Sequence, residues 1–174
     1  MSISRQNLSI VIVTIQSEKV IHKCIKSIQE NIPIIVVENS NDHNFKKSLE
    51  SDYKNVTCIV TGENMGMGAG NNIGIKSAKT DYVYIINPDV TFNENTLDEL
   101  FIASEKISEF SIMTPVCSDS SFPNYKHIND NNDLNIENNT FKVNSIDGYS
   151  MLLNKKKLSN EIYFDENFFL FLEN

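Results

Sequence analysis

Short apolar runs alternate along the chain with amphipathic stretches. Residues 8–14, LSIVIVT, are apolar on both faces, as a central strand of a parallel sheet must be when helices cover it on each side. Ser17 is placed to cap the next segment, in which Val20, Ile21, Cys24, Ile25 and Ile28 share one helical stripe. Residues 32–37, IPIIVV, predict a second buried strand with Pro33 at its start, because proline donates no ladder hydrogen bond. A polar turn at 38–42, a short helix at 45–49 and a third strand at 56–60 follow. The glycine-rich turn 62–74 then runs into a helix that ends near Lys79. Residues 82–86, YVYII, form a fourth strand, stopped by Asn87-Pro88-Asp89. Residues 96–107 read as a helix with Leu97, Leu100, Phe101 and Ser104 on one face, and 111–115 as a short strand. This alternation predicts an α/β, doubly wound architecture. The polar stretch 117–140 predicts a long surface loop, and loops of that length are usually functional or mobile. Strand-like patterning returns at 141–146 and 150–153. Lys155-Lys156-Lys157 reads as a solvated turn, with phosphate binding as the lesser reading, and the chain closes on an aromatic and acidic segment, 164–174.

Composition narrows the function. A chain of 174 residues suits one domain with a real core. The net charge of −8 argues against non-specific binding to nucleic acid or anionic lipid, both of which need a positive footprint. Cys24, Cys58 and Cys117 are odd in number and far apart, so neither a disulfide framework nor a CxxC site is written; reduced, mostly buried thiols are expected. His22, His43 and His127 lack zinc-ligand spacing. The apolar run at 8–14 is too short to span a membrane and no cleavage site follows it, so a cytoplasmic protein is expected.

Open α/β sheets bind ligands at the carboxyl ends of their strands. There the sequence places Thr14, Ile15 and Gln16; then Glu38 and Asn39; then the glycine-rich turn; then Asn87-Pro88-Asp89. The turn is not a dinucleotide fingerprint: it follows the third strand, and Asn71 stands where the last glycine belongs. It is not a phosphate loop either, because Gly74-Ile75-Lys76-Ser77 carries an extra residue. Two readings stay open, an anion-attracting helix start and a plain tight connection. Asp89, presented beside that turn, suits a divalent cation bridging to phosphates, or simply caps a turn. Glu38 is either an acceptor for a base or ribose or a solvated strand end. Asp165, Glu166 and Glu173 flank an apolar patch that would raise a carboxylate's pKa toward general-base work; solvated acids on an amphipathic element are the alternative.

The ordered set LSIVIVT (8–14), IIVVENSND (34–42), NMGMGAGNNIGIKSA (64–78), YIINPDV (84–90) and FDENFFLFLEN (164–174) resembles the family 2 glycosyltransferases, especially their rhamnosyltransferase-like branch. The resemblance covers nearly the whole chain. It implies a GT-A (Rossmann-like) fold, a three-layer α/β/α sandwich with a mostly parallel central sheet. Residues 1–115 would be the nucleotide-sugar-binding half and 116–174 the acceptor-side half. It also implies inverting sugar transfer from a UDP-, dTDP- or GDP-sugar to a hydroxyl of a glycan or lipid-linked acceptor, in surface polysaccharide biosynthesis. Thr14, Glu38 and Asn39 would hold base and ribose, and Asn64, Gly66, Gly68 and Asn71 would border the nucleotide. The family's aspartate motif falls on Asn87-Pro88-Asp89, with Asp89 on Mg²⁺ or Mn²⁺. Gly148 takes an acceptor-side position, and Glu173 the catalytic base.

Three positions depart from the family pattern. Glu38 replaces an Asp, Ile15-Gln16 replaces a Tyr-Asn pair, and the closing motif, Glu-Asp followed by a further Asp, stops at Glu173-Asn174. The chain therefore reads as a domain cut short inside its last signature, with a catalytically impaired nucleotide-binding module as the alternative. Family regions beyond residue 174 would supply peripheral contact with the inner face of the membrane. A nucleotidyltransferase shares the sheet and the metal-bound phosphates, but needs a basic glycine-rich loop after its first strand, where Ile15-Gln16-Ser17 stands.

Overall fold

The computed structural model describes residues 3–28, 31–121, 123–126, 140–158 and 163–169. Strands β1 (Leu8–Thr14) and β2 (Ile34–Glu38) are buried at every position. Pro33 precedes β2, and its carbonyl accepts the Ile10 N–H at 2.9 Å, so the residue without a donor joins the ladder as an acceptor. With β3 (Val56–Val60), β4 (Tyr82–Ile86), β5 (Ile112–Met113) and β8 (Ser150–Asn154) these form one six-stranded sheet, in the order β3-β2-β1-β4-β8-β5. The pairs β1–β2, β2–β3 and β1–β4 are parallel; β8 runs antiparallel to both β4 and β5. The chain steps outward from β1 to β3, then returns to lay β4 on the other side of β1. The connections leaving β1 and β4 therefore diverge, opening a crevice at the carboxyl ends of these two strands.

Helices cover both faces. Ile10 and Ile12 point into a layer shared with α1 (Glu18–Ser27), α2 (His43–Asp52) and α4 (Thr96–Lys106), through Ile21, Cys24, Phe45, Leu49, Leu97 and Leu100. Val11 and Val13, of opposite parity, face α3 (Met67–Ser77) through Ile75, together with Phe164. The three-layer α/β/α arrangement around a mostly parallel sheet is the one expected. Helix α3 buries few large side chains and packs instead by backbone approach. A Cβ on Gly70 would come within 2.8 Å of Val13 Cγ1, and one on Gly74 would collide with Val11 Cγ1.

Several local expectations are corrected. Ser17 does not cap α1 with its side chain; its hydroxyl donates to the Ile15 carbonyl at 3.0 Å, while its own carbonyl receives the Val20 and Ile21 N–H groups. Val20 is 40% exposed, because it lies one residue off the stripe that Ile21, Cys24, Ile25 and Ile28 bury. Helix α2 extends beyond 45–49 in both directions, since Asp42 caps it through the Asn44 and Phe45 N–H groups. Helix α3 stops at Ser77 rather than near Lys79. The stretch 141–146 is a strand only at β7 (Ser145–Ile146), which pairs with β6 (Tyr125–Lys126) inside the expected loop. Lys155 is no solvated turn residue: it is half-buried, and its Nζ donates to the Ala78 and Ile75 carbonyls at 2.8 and 3.3 Å, capping the C-terminus of α3. Burial lowers its pKa, against the field of Asp81. Lys156 pairs with Asp81 at 2.6 Å, and Lys157 pairs with Glu109.

Candidate functional site

The site is built at the carboxyl ends of β1 to β4. Thr14 ends β1 opposite Glu38 at the end of β2, and its carbonyl accepts the Asn39 N–H at 2.7 Å. Thr14 is 2% exposed and its Oγ1 has no partner among the described residues. A buried hydroxyl without a partner is costly, so this atom is one that a ligand would satisfy.

Glu38 is also buried, and its carboxylate is occupied. Oε1 accepts the Ser40 hydroxyl at 2.6 Å and Oε2 the Asp42 N–H at 2.9 Å. The longer side chain thus reaches forward to close its own turn. The solvated strand end considered from sequence does not occur.

Asn39 organises the glycine-rich turn. Its Nδ2 donates to Asn64 Oδ1 at 3.1 Å and to the Gly66 carbonyl at 3.0 Å, and its Oδ1 accepts the Met65 N–H at 3.1 Å. Asn64 Oδ1 also accepts the Gly66 N–H at 3.0 Å. Gly66 ends the turn at φ +86°, a left-handed conformation that a side chain would strain, and is the N-cap of α3. Gly68 and Asn71 are buried in the first turns of α3, and Asn71 Oδ1 is a second buried polar atom without a partner among the described residues.

The Met67 N–H is not left open for an anion: it donates to the Phe169 carbonyl at 3.1 Å. The segment 163–169 lies along α3, held at its other end by Asn72. Asn72 Oδ1 accepts the Phe164 N–H at 3.0 Å, and its Nδ2 donates to the Phe164 carbonyl at 2.9 Å and to Glu166 Oε1 at 2.8 Å.

Beyond β4, Asn87 donates its N–H to the Tyr149 carbonyl at 2.9 Å, which sets Gly148 beside the Asn87-Pro88-Asp89 turn. The Asn87 carbonyl is approached by Cys24 Sγ at 3.8 Å, and Ser27 Oγ accepts the Phe92 N–H at 3.0 Å, so α1 holds the connection in place. Asp89 is exposed and makes no ion pair among the described residues. Its charge reaches Cys24, whose thiol is pushed up to about 12 by burial first and by Asp89 second. Among the described residues no three His, Cys, Asp or Glu side chains gather as a closed metal cage. One exposed carboxylate at a sheet edge still suits a hard cation that takes its other oxygens from substrate phosphates and water.

Residues 9–170 match the family described as Glycosyl transferase family 2. The chain belongs to that family. The low-salt glycan biosynthesis hexosyltransferase Agl10 of Haloferax volcanii is 29% identical over 113 residues, covering 63% of this chain and 36% of Agl10. The crystal structure of S. aureus TarS superposes with a TM-score of 0.66 at 17% identity, over 94% of this chain and 31% of TarS. A structure of TarS 1–349 in complex with UDP-GlcNAc gives a TM-score of 0.56 at 18% identity, over 71% of this chain and 38% of that one. The chain thus spans about a third of the length of these relatives, and the likeness to TarS confirms the GT-A fold.

The family 2 domain gathers Thr14, Glu38, Asn39, Asn64, Gly66, Gly68, Asn71 and the Asn87-Pro88-Asp89 turn at one sheet edge, with Gly148 next to them. Glu173 lies outside the described residues. Three contributors went unread in the sequence. One is Asn72. The second is the Ser40–Asp42 latch on Glu38. The third is Asn124, fully buried, whose side chain receives the Cys117 N–H at 2.9 Å and donates to the Pro115 carbonyl at 2.9 Å. Two consecutive asparagines inside a helix were the available signal for Asn72, because asparagine is a poor interior helix former unless tertiary partners claim it. No helix of the described residues is long and apolar enough to cross a membrane.

Proposed function

We propose that this domain binds a nucleotide-diphosphate-sugar at the β1–β4 crevice and transfers the sugar, with inversion, to an acceptor hydroxyl in glycan biosynthesis. One observation carries the reading. Two buried polar atoms, Thr14 Oγ1 and Asn71 Oδ1, stand without partners among the described residues, beside a left-handed glycine turn and an exposed carboxylate at the switch point of the sheet. Family membership, the glycan-biosynthesis hexosyltransferase relative and the UDP-GlcNAc bound by TarS support the same chemistry.

Thr14 and Asn71 bind the nucleotide with their free oxygens, and Glu38 and Asn39 shape its pocket through the turns they hold. Asp89 would hold Mg²⁺ or Mn²⁺, and the bound cation would supply positive charge against the leaving diphosphate. The acceptor oxygen attacks the anomeric carbon from the face opposite the diphosphate. The bond to the diphosphate breaks, and a carboxylate of the closing segment, Glu173, takes the acceptor's proton. The transferred sugar is a hexose or rhamnose, and the acceptor is a glycan or a lipid-linked molecule.

Calorimetry with UDP, dTDP and GDP in Mn²⁺ tests the reading. One nucleotide should bind, and Asp89→Ala should weaken it at least tenfold while the same binding measured in EDTA stays unchanged. Absence of binding by all three nucleotides in Mn²⁺ would sink it. Binding without sugar transfer or donor hydrolysis would leave a binding module instead of an enzyme.

A further inference from the structure

We infer that Asn72 is a positioning residue that sets the acceptor-side segment 163–169 over the glycine-rich turn, making that segment and the nucleotide-binding turn one mechanical unit. The inference rests on the functional reading above only for the meaning of the two ends; the clamp itself is geometric.

Asn72 is 1% exposed, in the body of α3. Both N–H groups of its amide and the amide oxygen have partners. It pairs with both backbone groups of Phe164, as a neighbouring strand would, and its remaining N–H goes to Glu166 Oε1. Phe164 is 4% exposed and packs into the α3-side core, so the clamp anchors a buried side chain at its near end. At the far end, Phe169 places its carbonyl on the Met67 N–H and against Gly66, where an added Cβ would lie 2.5 Å from that oxygen. Gly66 is in turn gripped by Asn39 and Asn64. Between the two anchors, residues 165–169 are exposed. Asp165 closes a turn within the segment, its Oδ1 accepting the Asn167 N–H at 2.9 Å and its carbonyl the Phe168 N–H at 3.2 Å, and both ends of that turn are fixed to α3.

No other natural side chain reproduces the Asn72 contacts. Asp would keep the acceptor, lose both donors and face Glu166 with a like charge; Gln would carry the amide one methylene too far. The segment bears the acids Asp165 and Glu166, so a shift of its anchor moves carboxylates relative to a nucleotide bound at the turn. Displacements of about 1 Å at a reacting centre cost on the order of 10²-fold in rate.

The test uses the full chain as wild type, Asn72→Ala and Glu166→Ala. Hydrogen exchange over 163–169 and calorimetric affinity for the nucleoside diphosphate with Mn²⁺ are measured on each, and turnover where the wild type shows it. Asn72→Ala should raise exchange at Phe164 at least tenfold, hold nucleotide affinity within about threefold and lower kcat at least tenfold at unchanged donor KM. Glu166→Ala removes one part-buried hydrogen bond, should leave folding intact and should give an intermediate rise in exchange. Unchanged exchange in both variants overturns the clamp. Affinity falling in step with kcat also overturns it, because Asn72 would then act on the donor. A wild type that binds no nucleotide defeats the functional reading alone, and the exchange comparison still decides the clamp.

Discussion

Cys24 and Cys58 are buried in the same apolar layer, whereas Cys117 is half-buried, beyond β5. Burial pushes Cys24 up to about 12 and Cys58 to about 11, from 9.0. A thiol reacts as its thiolate. Ellman's reagent at pH 8 should therefore modify one thiol in the folded chain, and Cys117→Ser should abolish that reaction; three fast thiols would refute the core placement. The same shifts fix a pH dependence. Both folded pKa values are raised, so the protonated thiols contribute stability that is fully present below about 9 and is lost as pH rises toward the folded values. The melting temperature should fall between pH 9 and 11, less steeply in Cys58→Ala. Asn39 shows what single residues reveal in sequence and what they conceal. Its place at the end of a buried strand marked it as a site residue. Its work as organiser of the turn did not show, because its partners Asn64, Met65 and Gly66 become neighbours only when β3 lies beside β2.

Helix α3 is the element on which packing overrides propensity. Ala exceeds Gly as an interior helix former by about 1 kcal/mol, so Gly74→Ala in an isolated helix would stabilise it. Here the added Cβ collides with Val11 Cγ1 and comes within 3.3 Å of Val37 Cγ2, both in the packed sheet face. Overpacking of this kind costs about 1–3 kcal/mol, so the sum is destabilising or at best neutral. Urea denaturation should show Gly74→Ala less stable, and Val11→Ala in the same chain should recover part of the loss by opening the space. A Gly74→Ala variant more stable than wild type would mean that α3 stands off the sheet. Strands β1 to β4 were legible because each is a sustained apolar run. The two-residue strand β6 was not, since period-two alternation needs more positions than it has; β5 and β7 lie inside the strand-like stretches 111–115 and 141–146 but are shorter than those stretches. Lys155 was misread for a related reason: a run of three lysines signals solvent, and only the fold brings one of them beneath the last carbonyls of α3.

At the scale of the molecule, the site draws on the ends of four strands of one sheet, and the chain carries a net charge of −8. Two consequences follow. A ligand bound across those ends stabilises the whole cooperative unit, so a single unfolding transition should shift as one rather than split. A nucleoside diphosphate is itself an anion approaching an acidic protein, so the long-range field opposes it unless a cation intervenes. Nucleotide at 100 times its dissociation constant adds about 2.7 kcal/mol, and each kcal/mol raises the melting temperature of a domain this size by roughly 2–4 °C. A rise of roughly 5–11 °C is therefore expected with nucleotide and Mn²⁺ together, and a much smaller one with nucleotide in EDTA. Added salt should strengthen the metal-free binding, because the Debye length falls from about 30 Å at 0.01 M to about 8 Å at 0.15 M and screens the repulsion. An equal shift with and without the cation, at low salt, would show that the acidic field is not what the metal answers and would return Asp89 to the role of a turn residue.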